Sequence, residues 1–210
     1  MPKITNISKQ KNNKDRYNLF IDEQFYAGVS LEIVLLNRLK IGDEIDQERL
    51  KTVIFESDKA SALNKALGYI SRSIKTKREI KNYLIKKGYS EEIVWYCIDK
   101  LKEYDYVNDV EYSQKYIEAT NNTQGKNLSK FKLMAKGVKK EDIEKALECS
   151  NVDYVENAKN LAVKYLKNKE KTKENLLKAY KYLIGRGFSY EEADSAILYI
   201  KSSIEEWSEF

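Results

Sequence analysis

The chain has 210 residues, 42% of them apolar and 34% charged, with a formal net charge of +5. It has no histidine and only two cysteines, Cys97 and Cys149, which removes the commonest general base and the usual catalytic triad and leaves too few ligands for a structural zinc site. No run reaches membrane-spanning length and Met1-Pro2-Lys3-Ile4 opens no apolar signal segment, so a soluble cytoplasmic protein without membrane contact, metal or cofactor is expected.

The single proline stands at position 2, glycines number eight, and Lys, Glu, Leu and Ile are abundant. Such a composition reads as mainly α-helical. Residues 1–57 form an N-terminal extension. Tyr17–Ile21 and Gln24–Ala27 are short aromatic runs parted by Asp22-Glu23, the pattern of a β-hairpin, with Ile4–Ser8 a candidate third strand. The Lys/Asn/Gln stretch from Lys9 to Lys14 reads as an exposed loop. Ser30 caps a predicted helix with Leu31, Val34, Leu35 and Leu39 on one face, stopped by Gly42. Asp43–Phe55 reads as a second helix, and Ser57 or Asp58 as the cap of a third, running through Ala62, Ala66, Leu67 and Ile70.

From residue 58 the chain reads as three modules of three helices: 58–109, 110–150 and 151–210. In the first, Thr76-x-x-Glu79 is a capping box, Ile80, Tyr83 and Leu84 form the apolar stripe of the second helix, and Ile93, Val94, Ile98 and Leu101 line the third. In the second, Tyr112, Tyr116 and Ile117 share a face, residues 121–125 form a loop, and Ile143 and Leu147 line the last helix. In the third, Ala158, Leu161, Ala162 and Tyr165 form a face. Thr172 caps a helix carrying Leu176, Leu177, Tyr180, Leu183 and Ile184. The last helix, Glu191 to about Ser203, turns Ala193, Ile197 and Ile200 inward, and Trp207 and Phe210 are expected to fold back.

One phrase defines the period. Gly88, Gly137 and Gly187 are each preceded four residues earlier by Leu (84, 133, 183) and immediately by a basic residue (Lys87, Lys136, Arg186). Each is followed by an apolar residue (Tyr89, Val138, Phe188) and, at the fourth position, by Glu (92, 141, 191). Glycine closes a helix in the left-handed conformation, a basic residue suits the negative end of the helix dipole, and Glu suits the start of the next helix. The recurrence at intervals of 49 and 50 residues is what marks a helical repeat protein, in an elongated array of three-helix modules behind a small hairpin.

Basic residues are uneven. Residues 59–109 carry eleven basic and seven acidic side chains. Arg72, Lys75, Lys77, Arg78 and Lys81, then Lys126, Lys130, Lys132 and Lys136 one module later, form a candidate stripe along a phosphate backbone; Lys87 and Arg186 extend it. No aromatic stacking platform is expected among them, the 16 tyrosines being read mainly as core. Gly125-Lys126 lacks the spacing of a P-loop, and Gly185-Arg186-Gly187 follows a helix rather than a strand. No catalytic constellation emerges, so a binding protein and not an enzyme is expected.

Tyr69-Ile70-Ser71-Arg72 with Thr76-x-x-Glu79-Ile80, Leu84-x-x-Lys87-Gly88-Tyr89, Leu101 and Asn108-Asp109 resembles the first repeat of the RecX family. Gly125 with Leu133-x-x-Lys136-Gly137-Val138 and Ile143 resembles its second repeat, and Tyr182-Leu183-x-x-Arg186-Gly187-Phe188 its third. The likeness covers about residues 58–205. It implies a modulator of the RecA recombinase in homologous recombination, DNA repair and the SOS response. Such a protein lies along the groove of the RecA–single-stranded DNA filament and generally inhibits ATP hydrolysis and strand exchange. The partners implied are RecA and single-stranded DNA, with double-stranded DNA a further target, for a monomeric protein. The alternative left open is a helical repeat protein that binds DNA independently of RecA. The chain departs from the family pattern at Asn108-Asp109, where an acidic pair is usual, and at residues 121–124, which hold no arginine.

Overall fold

The computed structural model describes residues 1–11 and 16–208, with side chains up to Ser202. The expected fold-back of Trp207 and Phe210 and part of the Lys9–Lys14 loop lie outside the described residues. The chain divides into two compact units, Met1–Val107 and Asn108–Phe210.

The first unit opens with a three-stranded antiparallel sheet in the order β1 (Ile4–Lys9), β2 (Arg16–Ile21), β3 (Gln24–Ser30). Ile4–Ser8 is thus the third strand of the hairpin. Ile21 pairs with Gln24, so the turn is the dipeptide Asp22-Glu23, and both residues take positive φ (47° and 65°). That is the two-residue hairpin geometry whose twist matches the strands. Ile4, Leu19, Ile21 and Val29 pack with Ile33, Leu50 and Ile54 from the helices that follow.

Helix α1 (Leu31–Leu36) is capped by Ser30, whose side chain accepts from the Ile33 amide. Its inward residue is Ile33; Leu31 and Leu35, expected on the buried face, are exposed together with Leu36. Six residues make fewer than two turns, so the face is set by how the helix leaves β3 and not by apolar spacing.

The next helix departs from expectation. In place of two helices divided at Ser57 or Asp58, one helix, α2 (Gln47–Ile70), runs unbroken for 24 residues from an Asp46 cap. Asp58 does not cap because its carboxylate is taken by a tertiary partner. The Arg16 guanidinium on β2 donates to both of its oxygens at 3.0 Å, and also to the Gly28 carbonyl. Both members of the pair are buried, and Arg16 lies 5.1 Å from the Tyr89 ring centroid. This ion pair ties the sheet to the middle of α2.

Helices then contact in threes. In the first unit α2 meets α3 (Lys77–Lys86) and α4 (Glu91–Glu103). In the second, α5 (Asp109–Thr120), α6 (Lys126–Ala135) and α7 (Lys140–Glu148) form one group. Helices α8 (Tyr154–Leu166), α9 (Lys173–Gly185) and α10 (Tyr190–Ser208) form the other. The mainly α fold of three-helix groups behind a small sheet is therefore the observed one.

The repeated phrase is a repeated helix ending. Gly88, Gly137 and Gly187 have φ of +89°, +87° and +87°. In each copy the apolar residue after Gly donates its amide to the carbonyl of the leucine five residues before it: Tyr89 to Leu84, Val138 to Leu133, Phe188 to Leu183. This is the hydrogen-bond pattern of a Schellman stop, in which those two residues also meet side chain to side chain. Leu84, Leu133 and Leu183 are fully buried, each contributing on the order of 1.5–3 kcal/mol of burial. The capping box read from the sequence is present at Thr76/Glu79, and Ser189 and Glu192 form a second one.

Helix α6 starts without a side-chain cap, at Gly125. The Gly125 amide donates instead to the Arg186 carbonyl at 2.9 Å and the Asn127 amide to the Gly187 carbonyl at 3.0 Å. The start of the second module's middle helix is thus satisfied by the end of the third module's. A Cβ at Gly125 would collide with the backbone of Gly187 and Phe188, and one at Gly187 with Leu128.

Candidate nucleic-acid interface

The eleven basic residues singled out in the sequence do not form one equivalent set. Arg72 is exposed in the turn after α2, and Lys77 and Arg78 occupy the first turn of α3. Lys126 and Lys132 are exposed on α6. Two others are engaged by carboxylates: Lys81 lies 3.2 Å from Glu91, and Lys130 lies 2.7 Å from Glu144. The hydrogen bond from Lys130 holds the Glu144 carboxyl below the usual carboxylate range, with Lys126 and Lys140 adding to the effect. Lys81 also sits 4.8 Å from the half-exposed Trp95 ring.

The remaining basic residues lie against tyrosines. In the first module Tyr69 of α2 stacks on Tyr83 of α3, with centroids 4.2 Å apart and planes within 5°. Lys75 lies 5.0 Å from the Tyr69 centroid and Lys87 lies 5.6 Å from that of Tyr83. In the third module Tyr165 of α8 stacks on Tyr182 of α9 at 4.6 Å and 23°. Lys169 lies 3.4 Å from the Tyr165 centroid and Arg186 lies 5.0 Å from that of Tyr182. All four rings are half-buried against the module cores. The sequence expected no aromatic rings among these cations; in the structure two tyrosine pairs stand beside them, each with two cations.

The spacing carried the signal. Tyr69 and Tyr165 each stand seven residues before the threonine that caps the next helix, Thr76 and Thr172; Tyr83 and Tyr182 each stand five before the closing glycine. The second module has Glu118 and Lys132 at those two positions, and its Lys136 lies 5.7 Å from Tyr112 instead. Lys169 was missed because it sits three residues before its capping threonine where Lys75 sits one before.

A cleft of about 490 Å³ in the first unit is lined by Tyr26, Lys51, Phe55, Gly88 and Ser90, with the satisfied Arg16–Asp58 pair in its wall. Burial pushes the Cys97 thiol up to about 11, so it is not a thiolate nucleophile at neutral pH. Among the described residues no cluster of His, Cys, Asp or Glu suits a metal ion, and no helix is long and apolar enough to cross a membrane.

Fold and surface together define a helical-repeat protein whose first and third modules carry paired tyrosines beside cations. Residues 2–46 match the N-terminal domain of regulatory protein RecX, and residues 62–101 match the RecX first three-helix domain. A regulatory protein RecX of Clostridium botulinum (strain Alaska E43 / Type E3) is 35% identical over 91% of this chain and 92% of its own length. That of Clostridium tetani is 34% identical over 93% of each. A crystal structure of regulatory protein RecX superposes with a TM-score of 0.64 at 26% identity, covering 93% of this chain and 98% of that one. The chain belongs to the RecX family. The likeness extends past residues 58–205 to the N-terminal sheet, which the sequence presented as an extension outside the resemblance.

Proposed function

We propose that this protein binds the RecA–single-stranded DNA filament along its groove and lowers RecA's ATP turnover and strand exchange. It acts by binding, without cofactor or catalysis, as a cytoplasmic monomer. The observation that carries this reading is family membership over nine-tenths of the chain. The basic residues on all three modules support it, because a nucleoprotein filament presents a regular row of phosphates. The test adds the protein to RecA on single-stranded DNA and follows ATP turnover and co-sedimentation with the filament. Slower turnover with co-sedimentation is expected; unaltered turnover with the protein left in solution sinks the reading. Lys77→Glu with Arg78→Glu, both in the first turn of α3, should weaken the effect while helix content is retained.

A second reading, DNA binding independent of RecA, is favoured by the paired tyrosine–cation clusters. It requires affinity for naked DNA that falls steeply with salt. Salt-insensitive or absent DNA binding rejects it.

A further inference from the structure

We propose that the Tyr69–Tyr83 and Tyr165–Tyr182 stacks are two binding sites for unpaired nucleotides, each taking a base on a tyrosine ring and the adjoining phosphate on the cation beside it. The inference rests on the reading that the chain contacts nucleic acid, and it assigns where and how.

The first ground is recurrence. Each stack joins the end of a module's first helix to its second, each carries two cations, and each uses the same two positions relative to a threonine cap and a closing glycine. A staple needed only to hold two helices together would be required in the second module as well. There the same positions hold Glu118 and Lys132, and the module still packs around a fully buried Ile117 and Leu133.

The second ground is exchange of partners. A cation over a surface tyrosine is held weakly, whereas stacking of a base on an aromatic ring is the stronger contact, and an ammonium or guanidinium is better matched by a phosphate than by a ring. A single nucleotide supplies both replacements. Lys75 and Lys169 stand in segments between helices, where their side chains can turn from ring to phosphate with no change in a helix. Paired strands bury their base faces and cannot make this exchange, so the sites select single strands.

The test compares binding of the full chain to oligothymidylate and to an abasic strand of the same length, which has the same phosphates and no bases, by fluorescence anisotropy at fixed salt. The wild-type protein should bind the base-bearing strand about tenfold tighter or better. Tyr83→Leu with Tyr182→Leu should abolish that preference and leave abasic binding within about twofold. Lys132→Ala, in the module without a stack, should weaken both strands alike. Equal binding of the two strands by the wild type, or a preference that survives both tyrosine replacements, overturns the inference while leaving the filament reading standing. No binding to either strand or to the filament overturns both. A measurement on unaltered protein guards against a variant that does not fold. Photocrosslinking to a halogenated-uracil strand should give adducts at Tyr69, Tyr83, Tyr165 or Tyr182, and adducts confined to other residues overturn the assignment.

Discussion

The three closing glycines share a backbone conformation but not a neighbourhood, and this decides what each can tolerate. At Gly88 a Cβ would meet nothing within 4 Å, so Gly88→Ala bears only the cost of a left-handed non-glycine residue, about 1–2 kcal/mol. At Gly187 the same substitution drives a methyl into the backbone of Leu128. Overpacking of that kind adds about 1–3 kcal/mol, and relief would require breaking the Gly125–Arg186 and Asn127–Gly187 hydrogen bonds. Urea unfolding followed by circular dichroism should show the larger loss for Gly187→Ala. Equal losses would mean that the start of α6 yields freely and that the two modules are not locked at this point.

Among the elements, α2 is the one whose length depends on a contact from outside it. Its charged middle turn stays helical because Asp58 is neutralised by Arg16 from the sheet. Removing one partner leaves an unpaired buried charge, which costs about 3–5 kcal/mol, whereas replacing both with apolar residues of similar volume is close to neutral. Asp58→Leu or Arg16→Met alone should therefore destabilise the first unit strongly, and the double variant should recover most of the loss in a thermal-melting cycle. Additive losses would show that the pair is not energetically coupled. This contact also marks the limit of legibility. The glycine phrase, the capping boxes and the apolar stripes are local, and each was readable because the residues that satisfy one another lie within one or two turns. Asp58 looked like a cap because caps are local too; its partner is 42 residues away and no periodicity points to it. The tyrosine stacks were hidden for a different reason. At helical spacing a tyrosine reads as core, and these rings are indeed half core; only the pairing across two helices shows that a cation accompanies each one.

For the whole molecule, charge is divided unequally between the two compact units. Residues 1–107 hold twenty basic and sixteen acidic side chains, and residues 108–210 hold eighteen and seventeen. Nearly all of the net charge of +5 therefore belongs to the first unit, although each unit owns one tyrosine stack. Long-range attraction to a phosphate chain follows net charge and is screened beyond about 8–10 Å at physiological salt, while stacking acts only on contact and is insensitive to salt. The two units should then divide the work: the first captures, and both hold. Each unit has its own apolar cores, so the two can be compared as separate chains once each shows a cooperative melt. In stopped-flow mixing with a labelled single strand, the association rate of residues 1–107 should fall several-fold between roughly 50 and 200 mM salt, and that of residues 108–210 should change little. Dissociation rates should respond in both to loss of the local tyrosine pair. An association rate equally salt-sensitive in the two units would place the steering charge in local clusters such as Lys126 and Lys132 rather than in the net field of the first unit.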